Sequence, residues 1–312
     1  MIKLNKPKFW DRNNINLFSI LLLPLSLVIL TLIFFKKLFA KNKSFKIPII
    51  CIGNLYIGGT GKTPVSIYLA KELKKLGKKT AILRKFYSSH KDEYGQIKHE
   101  FKDLIINKNR INGLIDAEKA AFETVIMDDG LQDYRIKKDL KIVCFHENQL
   151  IGNGLIIPAG PLRESLNALR NIDIVLFNGK KNEKFEKKIL NYNQDLEFFY
   201  FRYNPLNINE FKNHNLLAIA GIGNPENFFK LVEQNNLKIQ KKIIFPDHYN
   251  FNENEILKII DFANERKYKL IMTEKDYFKI NKFKIKNINY LKVSLEIFEK
   301  EKFLKKIMKL YD

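Results

Sequence analysis

The chain has 312 residues, 46% of them hydrophobic, which is long enough for two domains and apolar enough for a substantial core. Its 55 Lys and Arg outnumber 34 Asp and Glu, for a formal charge of +21, so nucleic acid, an anionic membrane and an acidic substrate all stay open on that ground. Two cysteines, Cys51 and Cys144, exclude a disulfide framework and a cysteine metal site, and both read as core thiols of a reducing compartment.

Residues 1–46 hold nine Lys or Arg against Asp11 alone. Between Lys3, Lys6, Lys8 and Arg12 on one side and Lys36, Lys37, Lys41 and Lys43 on the other, residues 17–35 carry no charge over 19 positions. That is enough to cross a hydrocarbon core of roughly 30 Å. No small-residue cleavage site follows, which argues against a signal peptide. Ser19, Pro24, Ser26 and Thr31 interrupt the apolar run, while Phe9 and Trp10 suit the headgroup level. The segment reads as a membrane-associated helix that either spans or lies in the cytoplasmic interface.

From residue 47 the pattern changes. Ile47-Pro48-Ile49-Ile50-Cys51-Ile52 is a short apolar run expected of a strand buried on both faces. Gly53-Asn54-Leu55-Tyr56-Ile57-Gly58-Gly59-Thr60-Gly61-Lys62-Thr63 follows, and then Val65, Leu69, Leu73 and Leu76 recur at helical spacing. A phosphate chain needs this order. Gly58, Gly59, Thr60 and Gly61 offer backbone N–H groups, a helix N-terminus stands behind them, Lys62 reaches the outer phosphates, and Thr63 supplies a hydroxyl for Mg²⁺. The usual P-loop places its first glycine at 56, where this chain has Tyr56.

Apolar runs at 80–83, 124–127, 142–145, 174–177, 216–220, 241–245 and 270–272 alternate with helical stretches such as 225–235 and 254–266. That alternation predicts parallel α/β layers. A charged helix and an aromatic strand between 179 and 203 mark a topological break. Residues 85–112, polar and weakly periodic, are expected to form an inserted, mobile loop.

Thr124-Val125-Ile126-Met127-Asp128-Asp129-Gly130 is an apolar strand ending in acids downstream of a P-loop, the Walker B arrangement that helps hold Mg²⁺. Thr63, Asp128 and Asp129 are therefore the metal candidates. Arg163 follows the rigid Pro158-Ala159-Gly160-Pro161 and either meets a phosphate or pairs with Glu164. Of five histidines only His248 follows a strand end, behind Pro246 and Asp247. Gly221-Ile222-Gly223-Asn224-Pro225 reads as a strand-to-helix turn with Asn224 as N-cap and Pro225 at N1, since Glu226 breaks the dinucleotide fingerprint. Thr273-Glu274-Lys275-Asp276 reads as a helix cap.

Six motifs occur in order: Ile-Gly-Gly-Thr-Gly-Lys-Thr-Pro at 57–64, Asp-Asp-Gly-Leu-Gln at 128–132, Ile-Pro-Ala-Gly-Pro-Leu-Arg-Glu at 157–164, Ala-Gly-Ile-Gly-Asn-Pro at 220–225, Phe-Pro-Asp-His at 245–248 and Thr-Glu-Lys-Asp at 273–276. Together they resemble the tetraacyldisaccharide 4′-kinase (lipid A 4′-kinase) family over roughly residues 10–280. The resemblance implies ATP-dependent phosphorylation of the 4′-hydroxyl of a lipid-linked glucosamine disaccharide at the cytoplasmic face of a bacterial inner membrane, with ATP and Mg²⁺ as cofactors and no nucleic-acid partner. The family's Gly-Asp-Glu-Pro is similar to Lys91-Asp92-Glu93-Tyr94, which implies Asp92 as the catalytic aspartate and His248 as its partner beside Lys62. It also implies Glu93, Gln132 and Arg163 as substrate contacts. Asp133 stands where the family has histidine, and Leu83-Arg84-Lys85-Phe86-Tyr87 replaces its Ser-Arg-Gly-Tyr-Gly.

The expected architecture is thus α/β: a P-loop NTPase-like parallel sheet with helices on both faces, two α/β subdomains and the N-terminal membrane-associated helix. Its expected parts are 1–46, the helix; 47–205, a P-loop kinase domain; and 206–312, a smaller subdomain closing the cleft. A sugar hydroxyl is a weak nucleophile at neutral pH, so an Asp–His couple able to accept its proton suits such a transfer. The alternative from another class is a membrane-tethered regulatory P-loop NTPase, which would hydrolyse nucleotide without a sugar lipid. A nucleic-acid-binding ATPase would need a basic stripe interleaved with exposed aromatics, whereas the densest charge here flanks the apolar segment. Oligomeric state is left open.

Overall fold

The computed structural model describes residues 7–11, 15–247, 249–285 and 288–312, without the side chains of Lys8, Ser89, Lys91 and Asp92. By its internal contacts the chain forms two units. The larger comprises Lys6–Phe86, Phe101–Arg202 and Leu295–Asp312; the smaller comprises Tyr87–Glu100 and Tyr203–Ser294.

The larger unit begins with α1 (Leu17–Leu38), then β1 (Ile49–Gly53), α2 (Lys62–Lys75) and β2 (Thr80–Lys85). After α3 (Lys91–Glu100), which belongs to the smaller unit, come β3 (Leu104–Asn107), α4 (Arg110–Lys119), β4 (Thr124–Asp128), β5 (Leu140–His146), β6 (Ile174–Asn178), α5 (Glu183–Leu190) and β7 (Glu197–Pro205). The smaller unit continues with β8 (Asn215–Ala220), α6 (Pro225–Gln234), β9 (Lys238–Ile244), α7 (Glu253–Glu265), β10 (Tyr268–Thr273), α8 (Glu274–Ile280) and β11 (Tyr290–Leu291). β12 (Val293–Ile297) and α9 (Lys300–Met308) close the chain.

The large sheet runs β12-β7-β6-β5-β1-β4-β2-β3, and every pairing from β7 to β3 is parallel. β1, β4 and β6 are buried at every position, as their unbroken apolar runs require of strands covered on both faces. From β1 the chain winds one way through β2, β3 and β4 and then the other through β5, β6 and β7, so β1 sits where the winding reverses. In open α/β sheets the crevice at the carboxyl ends of the strands beside such a reversal is where ligands bind. The second sheet, β11-β10-β8-β9, is also parallel. Phe228, Phe229 and Val232 of α6 cover one face, and Ile256 and Ala263 of α7 with Ile280 of α8 cover the other.

Cys51 and Cys144 are fully buried and free, as core thiols should be, and burial pushes each up to about 12. Residues 85–112 correct the expectation of a mobile loop, since they hold α3, β3 and the start of α4. Their signal was weak because β3 is a four-residue edge strand, and because α3 is short and mostly polar, burying little beyond Tyr94 and Ile97. The linear boundary at 205/206 is corrected too. Phe303 and Ile307 of α9 are fully buried, Phe303 packs edge-on against Phe199 of β7 at 5.2 Å, and the Tyr311 and Thr124 hydroxyls share a hydrogen bond, so the C-terminus returns to the larger unit. α3 joins the smaller unit through contacts such as His99 on Phe278, 4.9 Å apart.

α1 is, among the described residues, the one helix long and apolar enough to cross a membrane. Asn16 caps it by accepting the Ser19 N–H at 2.8 Å, and Lys36 and Lys37 in its last turn complement the helix dipole. Its buried or half-buried positions are 19, 22, 23, 26, 29, 30 and 33, a stripe of one face. Within that stripe the Ser26 hydroxyl donates to the Ile156 carbonyl at 3.0 Å and accepts the Ala159 N–H at 3.1 Å, while Asn153 donates to the Ser19 hydroxyl at 3.1 Å. The serines that interrupt the apolar run are thus its docking points. Leu17, Phe18, Leu21, Leu25, Val28, Leu32 and Phe35 stay exposed. Replacing Leu21, Leu25 and Leu32 together by Glu is expected to abolish flotation with anionic vesicles while leaving the urea unfolding midpoint nearly unchanged, since apolar burial in lipid is lost but no packed face is. Flotation equal to the parent chain at both low and high salt would place the membrane contact elsewhere.

Candidate active site

β1 ends at Gly53 and the chain turns through residues 54–61 into α2. The buried Asn54 ties the loop back by donating from Nδ2 to the Gly58 carbonyl at 3.0 Å, and the Ile57 N–H donates to the Pro161 carbonyl at 2.8 Å. Gly58 and Gly61 have φ of 115° and 95°, a left-handed backbone that glycine adopts without strain. Gly61 is the N-cap of α2 and no side chain among the described residues caps it, so the first amides of α2 are turned to whatever the loop encloses. Tyr56, in place of the first P-loop glycine, is fully buried, and its hydroxyl donates to Asp11. This position anchors the N-terminal segment to the core, which accounts for a large side chain there.

The acids after β4 are separated in role. Asp128 pairs in register with Ile52 of β1, is 1% exposed, and its Oδ2 accepts from the Thr63 hydroxyl at 2.9 Å. Arg84, at the end of β2, directs Nη1 to Asp128 Oδ2 at 2.7 Å and to Thr63 Oγ1 at 2.9 Å. Asp129, at a left-handed φ of 59°, faces instead Arg163 Nη1 at 2.7 Å and Lys62 Nζ at 3.9 Å. Burial pushes Lys62 below the ordinary lysine range, with Asp129 pulling back and Arg163 adding to the lowering. Burial alone would raise Asp129, but Lys62 and Arg163 outweigh it and hold the carboxyl well below the usual range.

Arg163 therefore does not pair with Glu164. Glu164, 3% exposed, accepts from Gln132 Nε2 at 2.9 Å and meets Lys37 Nζ of α1 at 2.7 Å. Asp133 receives Arg135 through two bonds of 2.9 Å each and lies 3.5 Å from Arg110, so it is an ion-pair anchor for the turn after β4. Arg110 also donates to the Asp129 carbonyl at 2.6 Å. Arg84 and Arg110 are the residues the sequence reading passed over. Arg84 had a signal, a charge closing an apolar strand beside the P-loop; Arg110 lay in the stretch read as loop and had none.

In the smaller unit, Glu93 Oε1 and Asp247 Oδ1 meet Lys275 Nζ at 2.8 and 3.3 Å. Thr273 caps α8, and Asp276, fully buried, accepts the Gly221 N–H at 2.8 Å, so Thr-Glu-Lys-Asp is a cap that also holds the turn after β8. Asn224 is the N-cap of α6 and Pro225 its first residue, as expected. His248 and the Asp92 side chain lie outside the described residues.

Among the described residues no three His, Cys, Asp or Glu side chains converge as a metal cage. Mg²⁺ is commonly held by one or two carboxylates together with phosphate oxygens, and the donors here fit that mode. Asp128 Oδ1 is buried with no hydrogen-bond partner among the described residues, next to the Thr63 hydroxyl.

A parallel sheet whose central strand runs into a glycine loop, a Lys-Thr pair and a helix, with an acid on the adjoining strand end, defines a P-loop nucleotide-binding protein. Residues 18–312 match the profile of the family described as LpxK, tetraacyldisaccharide-1-P 4′-kinase, and the chain belongs to that family. It is 40% identical to the tetraacyldisaccharide 4′-kinase of Pelagibacter ubique (strain HTCC1062) over 99% of both chains. It is 33% identical to that of Francisella tularensis subsp. novicida (strain U112), covering 93% of this chain and 98% of the other. The crystal structure of LpxK from Aquifex aeolicus in complex with ATP superimposes with a TM-score of 0.69 at 25% identity, over 95% of this chain and all of the other.

The Asp129 ion pairs also predict a pH dependence. A carboxylate whose folded pKa is depressed adds stability that is complete above its unfolded value of about 3.9 and fades as pH falls through the folded one. Asp129→Asn is therefore expected to lower unfolding free energy at pH 7 by about 3 kcal/mol. In urea melts taken downward in pH, the gap to the parent chain should narrow below about pH 4. A gap constant from pH 7 to pH 3 would show that the ion pairs contribute nothing.

Proposed function

We propose that the chain transfers the γ-phosphate of ATP to the 4′-hydroxyl of a tetraacylated glucosamine disaccharide 1-phosphate, with Mg²⁺. The observation that carries this reading is the meeting of Thr63 with Asp128 and of Lys62 with Asp129 at the glycine loop in a member of this kinase family. Family membership also does not favour the regulatory NTPase.

The glycine-loop amides and Lys62 neutralise the phosphates, and Thr63 with Asp128 holds the cation, which when bound draws charge from the moving phosphoryl group. Arg163 and Lys62, both directed at Asp129, are held for the transferred phosphate by that carboxylate. Asp92 and His248 take the proton of the acceptor hydroxyl, with Glu93 and Gln132 among the substrate contacts. What supports the couple is that Glu93, next to Asp92 in sequence, and Asp247, next to His248, share Lys275. Transfer is then direct and in line, because positioning and charge stabilisation do most of the work in such reactions.

The docked stripe of α1 supports a helix lying in the membrane interface over one that spans. Its other face, apolar and flanked by lysines, suits the cytoplasmic side of an inner membrane.

The test is transfer of labelled phosphate from ATP to the disaccharide lipid in detergent. Lys62→Ala is expected to lose roughly 10²–10³-fold in kcat or more, as the charge developing on the phosphoryl group loses a cation. Turnover near the parent rate in that variant would remove the P-loop lysine from the chemistry. For the base, Asp92→Ala and His248→Ala should each cost roughly 10²–10⁴-fold in kcat with little change in nucleotide affinity. The double variant should lose far less than the product of the two, because partners in one unit are not additive. Independent, multiplying effects would mean that the two do not act as a couple.

A further inference from the structure

The Arg84 guanidinium stands where the cation reading needs a cation. Its Nη1 lies 2.7 Å from Asp128 Oδ2 and 2.9 Å from Thr63 Oγ1, and those two oxygens are 2.9 Å apart. Adjacent ligands of a small octahedral cation with metal–oxygen bonds of about 2.0–2.1 Å are separated by about 2.9 Å, so the pair already has the spacing of one edge of such a shell. One N–H group of Arg84 covers that edge. The arginine side chain is 7% exposed and the Asp128 side chain 0%, which makes this a buried pair rather than a surface contact.

A buried carboxylate without a counter-charge is costly, so a cation at Oδ2 of Asp128 is favourable. The neighbouring cations are directed at the other acid, Arg163 at 2.7 Å and Lys62 at 3.9 Å from Asp129 Oδ1. Among the described residues, Lys62, Arg84 and Arg163 against Asp128 and Asp129 make these five groups net positive, which disfavours a bare divalent ion. The same cluster attracts a polyphosphate that brings the ion with it, and the polyphosphate also offers the guanidinium new acceptors.

We infer that Arg84 is a built-in placeholder for the divalent cation: it closes the Thr63–Asp128 site in the nucleotide-free protein, so that the cation enters together with the nucleotide and displaces the guanidinium. The inference rests on the reading of Thr63 and Asp128 as the cation site. It assigns to Arg84 an order of loading, and it predicts that removing a positively charged, buried side chain creates a metal site.

The experiment uses the full chain in detergent, with Mn²⁺ as the probe and its electron paramagnetic resonance signal as the readout. With a non-hydrolysable ATP analogue the parent chain should bind Mn²⁺, and Asp128→Asn should weaken that binding. If either fails, the cation site itself is misassigned and the inference falls with it. Without nucleotide, Arg84→Gln should bind Mn²⁺ roughly tenfold or more tightly than the parent, and adding Asp128→Asn to the same chain should erase the gain. Unchanged or weaker binding in Arg84→Gln, with the nucleotide arm intact, overturns the inference alone.

Because loss of Arg84 uncovers a buried acid, thermal melts supply the second measurement. Arg84→Gln should melt lower than the parent in EDTA and regain its Tm with millimolar Mn²⁺, while the parent Tm stays unmoved by Mn²⁺ alone. A variant that neither folds alone nor recovers with Mn²⁺ also overturns the inference, since Arg84 would then support the fold in a way no cation replaces.

Discussion

Two acids at the end of β4, one buried and one half-buried, must be matched by positive charge, and the centre of the larger unit is arranged around how that is done. Asp128 is held by Thr63 and Arg84, and Asp129 by Arg163 and Lys62, with Arg110 on its carbonyl. These partners come from four places in the chain: the P-loop, the end of β2, the start of α4 and the turn after Pro161. Lys62, Thr63, Arg84 and Arg110 each stand at the start or end of a strand or helix of the α/β layers. A centre built from strand ends gains its precision from the sheet rather than from the loops.

The N-terminal helix is joined to that centre by polar contacts instead of apolar packing alone. Ser19 and Ser26 are tied to residues 153–159, and Lys37 reaches Glu164, which also receives Gln132 from the turn after β4. Arg163, beside Glu164 in sequence, pairs with Asp129. One short segment, residues 153–164, therefore touches both the helix proposed to meet the membrane and the acids at the nucleotide loop. Under the proposed transfer to a lipid acceptor, such a joint would link the depth of the helix in the interface to the position of the phosphate site.

Much of this was legible in the residues. The strands at 124–127, 142–145 and 174–177 were visible because central parallel strands are apolar on both faces, and the glycine loop because its backbone needs leave a fixed spelling. Residues 85–112 were misread because an edge strand and a short polar helix bury too few side chains to imprint a period. The tail at 295–312 was assigned to the wrong unit for another reason. Nothing local in Phe303 or Ile307 says which of two apolar surfaces they will meet.

The sequence by itself determined the class of fold, the glycine loop, the acids that end β4 and the family, since each depends on local spacing or on motifs in order. Only the tertiary structure decided which acid faces which cation, because Asp128 and Asp129 are adjacent and differ only in backbone direction, the second turning at a left-handed φ. It also decided that Tyr56 belongs to the core, that Ser19 and Ser26 dock α1, and that Arg84 stands at the Thr63–Asp128 pair. Those are contacts between residues tens to more than a hundred positions apart. Periodicity reports which side of an element is buried, but a charge finds its partner only when the strands that carry them are placed side by side.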